Sequence, residues 1–206
     1  MMPSWLKYYQ SEQVHIYTDE KSNFYENVNQ TSLFSKSNDW KINCKRKMKC
    51  IKRHIDNTDH ENFVYIDTDC YILNPIDDAF LKSYTIGVTR FEDQDKSLSS
   101  GVIFFQRDDS LKILIEQWDK EMNALSNLHL AEQQSLHNIC VRNLEKIHNL
   151  SPIYNNFVKY ETPFNQDEDE LKWIELASKD PKVLHFYGIT RNRFININKL
   201  INKIVN

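Results

Sequence analysis

Short apolar runs alternate along this chain with segments of helical period. Residues 14–17 (VHIY) form a β-rich run ended by Thr18 and Asp19, as a strand entering a turn or cap would. Residues 22–29 then read as a helix and 31–34 as a weak strand. From 40 to 55, Cys44, Met48, Ile51 and Ile55 recur at spacings of four, three and four, which makes one stripe of an amphipathic helix. Lys47 and His54 flank that stripe. The run at 63–66 (FVYI) is uninterrupted and ends at Asp67-Thr68-Asp69; such a run predicts a buried strand of the parallel type. Further β-rich runs lie at 84–91, 101–105, 147–150 and 183–187, with helical segments at 110–122 and 131–141. Residues 92–100 read as a polar loop and 167–170 as a solvated acidic stretch or helix start. Strands alternating with helices predict an α/β domain, a mostly parallel sheet flanked by helices, with ligands at the carboxyl ends of the strands.

Composition narrows the function. At 206 residues, 40% apolar and 27% charged, the chain fits one ordinary globular domain. A formal net charge of -3 argues against nucleic acid as a partner. No apolar run approaches the ~20 residues that span a bilayer, and the first residues lack the pattern of a signal peptide. The cysteines, Cys44, Cys50, Cys70 and Cys140, form no C-x-x-C pair, so reduced, buried thiols and a cytoplasmic location are expected. There are only three glycines, Gly87, Gly101 and Gly188, where average usage would give about fourteen. That scarcity leaves no G-x-G-x-x-G, no P-loop and no nucleophile elbow.

Three local features carry candidate chemistry. Asp67 and Asp69 directly follow a buried strand; two carboxylates one residue apart can turn toward one hard divalent cation that also binds phosphate. Alone, Asp-x-Asp is equally a solvated turn. Ser99-Ser100-Gly101 opens the strand at 101–105, where a glycine would let backbone approach a ligand, or simply make a turn. His185 lies within an apolar run that Gly188, Arg191 and Arg193 follow. It could be a hydrogen-bonded core histidine or a ligand beside a diphosphate cradle of backbone N–H and guanidinium. An imidazole joined to two carboxylates suits Mn²⁺ better than Mg²⁺.

In this order, the blocks VHIYTD, FVYIDTDCYILNPIDD, SSGVIFFQRDD, EQQSLHNI, SPIYNN and VLHFYGITR resemble the GT-A fold glycosyltransferases, especially retaining family 8 and its bacterial relatives. The resemblance implies one domain over residues 1–193 that transfers a sugar from a nucleotide-sugar donor, with a UDP-sugar expected. The acceptor would be a glycan, a lipid-linked glycan or a protein. It implies Asp67, Asp69 and His185 as ligands of Mn²⁺ (or Mg²⁺), with Thr68 between the two carboxylates in the donor site. Gly188 would give its N–H to phosphate, and Arg191 stands where the family has lysine. Ser100-Gly101 matches an Asn-Ser-Gly element near the donor sugar, with Ser99 replacing the asparagine. Glu132 and Gln133 match an Asp-Gln pair beside the reacting carbon, and Tyr154-Asn155 an acceptor-side element. Lys47 is the candidate for the donor-binding cation on the helix before the Asp-x-Asp strand.

The pattern also departs from the family. The strand and helix that normally precede 14–17 are expected to be missing, as if the chain were truncated or its start lay upstream; a βα unit would need twenty to thirty more residues by a rough count. Residues 194–206 carry Ile195, Ile197, Leu200, Ile201, Ile204 and Val205 with Lys199 and Lys203. That amphipathic tail would pack on its own domain or lie peripherally at a membrane surface. Two other readings stay open: a non-catalytic remnant that only binds, and a haloacid-dehalogenase-like phosphohydrolase. The second lacks its expected Gly-Asp motif here.

Overall fold

The computed structural model describes residues 4–19, 28–34, 40–90, 98–125, 131–157 and 180–186. Strand β1 (His15–Asp19) pairs in parallel with β2 (Asn29–Phe34) as a separate two-stranded sheet. The helix expected over 22–29 falls mainly on residues outside the described set, and its last position, Asn29, already belongs to β2. Helix α1 (Trp40–Asn57) follows, with Met48, Ile51 and Ile55 of the expected stripe buried.

Strand β3 (Asn62–Ile66) enters a four-stranded sheet of order β3-β6-β5-β7, in which β5 spans Ile86–Arg90, β6 Leu98–Gln106 and β7 Ile147–Asn149. A three-stranded sheet joins β4 (Cys70–Ile72), β9 (Val183–His185) and β8 (Asn156–Phe157), with β9 in the middle. Helices α2 (Leu111–Ala124) and α3 (Ala131–Arg142) complete the order.

The α/β expectation stands, but the pairing is mixed rather than mostly parallel. Strand β6 runs antiparallel to both β3 and β5, and β4 antiparallel to β9. A fully apolar strand shows that both of its faces are covered; it does not encode the direction of its neighbour. Both faces are indeed covered. On one side Ile103 and Phe105 pack with Ile51 and Ile55 of α1, Trp118 of α2 and Leu136 of α3. On the other, Val102 and Phe104 pack with Ile72, Tyr154 and Val183.

Strand β6 also carries a bulge. Its stretch from Ser99 to Phe104 faces only Gly87 to Thr89 of β5. Extra residues in one strand of a pair re-aim the side chains around them. Ser100 consequently meets Lys47 on α1, whereas Ser99 and Gly101 meet Asn155 and His185 on the other side.

Candidate functional site

Asp67 is the first residue beyond β3, and its N–H donates to the carbonyl of Gly101 at 2.8 Å. The chain then turns through Thr68-Asp69, closed by the Cys70 N–H on the Asp67 carbonyl at 3.2 Å. A turn of this kind is what lets two carboxylates leave one strand end in different directions. Asp67 looks inward, where its Oδ1 accepts from the Tyr65 hydroxyl at 2.7 Å and its Oδ2 from Lys47 Nζ at 3.1 Å. Asp69 looks the other way, its Oδ1 lying 3.3 Å from His185 Nε2.

Lys47 is the electrostatic centre of the inner half. Its Nζ lies 2.6 Å from Glu132 Oε1 at the start of α3 and donates to the Ser100 carbonyl at 2.7 Å. Burial alone would push this ammonium toward its neutral form, but the Glu132 and Asp67 carboxylates outweigh that and hold its pKa above the ordinary lysine value. The amine is therefore a fixed positive charge. Among the described residues it is shared between Asp67 and Glu132, and a strand end that gathers carboxylates in this way suits a further cation.

His185 is held from behind by Asn155. The Asn155 amide nitrogen donates to Thr89 Oγ1 at 2.9 Å and Ser99 Oγ at 2.7 Å, which leaves its Oδ1 against His185 Nδ1 at 3.1 Å. An acceptor at that point takes a hydrogen bond from Nδ1–H and turns Nε2 toward Asp69, where the ring can present a lone pair to a cation. Gly101 completes the arrangement. A Cβ there would collide with the imidazole, standing 2.9 Å from Nε2 and closer still to two other ring atoms. The sequence pointed to a glycine needed for close approach; the group that approaches is the His185 ring.

The ligand atoms of Asp69, Cys70 and His185 lie within 4.8 Å of one another. Burial, with the nearby Asp67 and Asp69 carboxylates, pushes the Cys70 thiol well above its ordinary pKa, and sulfur is a soft donor that a hard, oxygen-seeking cation does not prefer. One carboxylate and one imidazole with its proton fixed on the far nitrogen are a donor set that fits Mn²⁺. Asp67 is not part of this tight group, being engaged by Lys47 and Tyr65. A carboxylate has about four lone-pair sites, so those two donors leave it capacity for a cation.

The remaining expected residues fall as follows. Thr68 is exposed at the tip of the turn, and Gln133 is partly exposed in the first turn of α3 beside the buried Glu132. Ser100 is buried against Lys47. Tyr154 and Asn155, expected on the acceptor side, are both buried: Tyr154 stacks edge-on to Phe104, and Asn155 orients His185. Gly188, Arg191 and the tail 194–206 lie outside the described residues. The residues that sequence reasoning missed are Tyr65, Thr89 and the supporting role of Asn155. Only the position of Tyr65, two residues before Asp67, gave any hint, because strand periodicity puts both side chains on one face.

No family model matches the chain, and no curated protein matches it by sequence. Solved structures do. A glycosyltransferase involved in the glycosylation of the major capsid of PBCV-1 superimposes with a TM-score of 0.54 at 17% identity, over 85% of this chain and 81% of that one. Mouse xyloside xylosyltransferase 1 gives 0.45 at 14% identity, over 69% of this chain and 63% of that one. GlyE of Streptococcus pneumoniae TIGR4 gives 0.45 at 16% identity, over 75% and 44% respectively. The chain has a GT-A-like glycosyltransferase fold.

Proposed function

We propose that this chain is a metal-dependent glycosyltransferase that moves a sugar from a nucleotide-sugar donor, UDP-linked, to a glycan, lipid-linked or protein acceptor. The observation that carries the reading is the Asp69–His185 pair at 3.3 Å, with Nδ1 of the imidazole anchored on Asn155. A core histidine needs only to satisfy its polar atoms. This one is held by Asn155 with Nε2 turned toward a carboxylate at the end of a strand, near the carboxylates of Asp67 and Glu132. A protein with the fold of a glycosyltransferase and such a pair at this point is suited to hold a cation and, through it, a diphosphate.

In this reading Asp69 and His185 hold Mn²⁺, or Mg²⁺ less well, and Asp67 joins them. The ion would supply Lewis-acid stabilisation of charge on the departing diphosphate. Lys47 holds Asp67 and Glu132 in register and adds a fixed positive charge next to the site. Glu132 and Gln133, at the start of α3, stand on the sugar side. Ser100 and Gly101 shape the floor, Thr68 lines the donor site, and Tyr154-Asn155 supports the acceptor side. Gly188 and Arg191 would complete the diphosphate cradle. The acceptor hydroxyl oxygen bonds to the anomeric carbon as that carbon's bond to the diphosphate oxygen breaks; the nucleoside diphosphate leaves with the electron pair, and its freed oxygen takes up the hydroxyl proton. Retention at that carbon rests on the family resemblance. The tail 194–206 either packs on the domain or meets a membrane surface. Among the described residues no helix is long and apolar enough to cross a membrane.

The test is UDP release from a panel of UDP-sugars, with and without Mn²⁺. Metal-dependent release by the wild type that Asp69→Asn abolishes supports the reading. UDP binding without turnover from any donor favours the remnant that only binds. The phosphohydrolase alternative gains nothing from a glycosyltransferase fold, and turnover of a generic aryl phosphate would be needed to revive it.

A further inference from the structure

A second group of metal-ligating side chains lies at the far end of α1. His15 opens β1, His54 stands in the last turn of α1, and His60 sits in the turn that leads into β3. Lys47 and His54 are two helical turns apart, about 10 Å along the axis, so this group is separate from the Asp69–His185 pair. Each histidine offers a ring nitrogen, and the three nitrogens lie within 4.8 Å of one another. The ring centroids are 4.9 Å apart for His15 and His54, 5.4 Å for His15 and His60, and 5.3 Å for His54 and His60.

The rings meet edge-on or tilted, with their nitrogens converging, rather than stacked face to face. His60 Nδ1 faces His54 Nε2 at 3.3 Å. Two nitrogens each ~2.05 Å from a zinc ion at the tetrahedral angle are themselves about 3.3 Å apart. The other nitrogen of His54, Nδ1, lies 3.2 Å from the Tyr17 hydroxyl, and a partner there leaves Nε2 as the nitrogen available to an ion. The loop that presents His60 is fixed as well. Arg107 donates to the carbonyls of Ile55, Thr58 and His60 at 3.2, 2.7 and 3.1 Å, and the Thr58 hydroxyl donates to the His54 carbonyl at 2.8 Å. A site built on ordered backbone loses little entropy on binding.

We propose that His15, His54 and His60 bind a zinc-class divalent ion, with a fourth position open to water or an outside ligand. Three imidazoles suit zinc, copper or nickel and not the oxygen-seeking Mg²⁺ or Ca²⁺. The ion would join three elements that no strand ladder connects among the described residues: β1 and β2 pair with each other, and β3 belongs to a different sheet. It therefore acts as a clamp between that small sheet and the body of the domain, and stabilises the folded state by binding to it alone.

Zinc titration of the full chain tests this, followed by calorimetry and by the shift in thermal midpoint. The wild type and Asp69→Asn should both hold a zinc with a Kd below about 1 µM, whatever further zinc the Asp69–His185 pair takes up in the wild type, and both should melt at higher temperature when loaded. His60→Ala, at an exposed position, and His15→Ala, on a different element, should each lower the affinity about 100-fold or more and lose the thermal shift. Full affinity in either histidine variant, a wild-type Kd weaker than that limit, or uptake that Asp69→Asn removes would each overturn the proposal.

Discussion

His185 packs its imidazole directly on Gly101, in the space that any side chain at position 101 would occupy. The contact ties the bulged stretch of β6 to β9 and fixes the height of Nε2 over Asp69. Gly101→Ala should therefore displace the ring, at a cost of about 1–3 kcal/mol for overpacking a closed site. Mn²⁺ affinity should fall more than global stability does. Urea unfolding and Mn²⁺ calorimetry on the same variant separate the two effects, and an unchanged Mn²⁺ affinity would contradict this account of the glycine.

Asn155 touches His185 but would not touch the ion. Asn155→Ala removes the acceptor for Nδ1–H and the donor to Thr89 and Ser99. Loss of a partner that orients a ligand lowers metal affinity about 10–100-fold, and the buried groups left unpaired cost about 1–3 kcal/mol. Electron paramagnetic resonance of free Mn²⁺ reads the first. If Mn²⁺ binds to the variant as it does to the wild type, the tautomer argument is wrong.

The sequence made some of this legible and hid the rest for physical reasons. The apolar run of β3 and the stripe of α1 announced themselves, because burial imposes a period on each. The flanking position of Lys47 on that stripe, read with the family resemblance, singled it out, and the structure puts it against Asp67, Ser100 and Glu132. Strand direction was not legible, since β6 is as apolar as a central parallel strand would be. The three-residue β4 and two-residue β8 are too short to show a period. The tie between His185 and Asn155 spans thirty residues, and the grouping of His15, His54 and His60 depends on a register between β1 and α1 that no local pattern records.

Lys47 bridges two carboxylates, Asp67 and Glu132, in the buried half of the site. Lys47→Met leaves Asp67 and Glu132 facing each other without it, and breaking such a buried pair costs about 3–5 kcal/mol. Adding Glu132→Gln to Lys47→Met should recover part of that loss, while sugar transfer stays abolished in both. Chemical denaturation of the single and double variants gives the coupling. Strictly additive losses would mean that the 2.6 Å contact contributes no pairing energy.

Burial pushes the thiols of Cys50 and Cys140 up to about 12. At pH 8 both should stay protonated and react slowly with iodoacetamide in the folded protein, then readily once urea unfolds it. Mass spectrometry of alkylated peptides reads each site separately. Fast labelling of Cys140 under native conditions would show that α3 opens far more often than its packing implies.

In the proposed function Asp69 and His185 hold a cation that in turn holds a nucleoside diphosphate. Calorimetric titration of UDP into the protein, with Mn²⁺ present and then removed by chelator, addresses it most directly. UDP should bind only with Mn²⁺, and both Asp69→Ala and His185→Ala should abolish that binding while remaining folded. UDP that binds equally well without metal, or that binds to neither form of the wild type, would contradict the account.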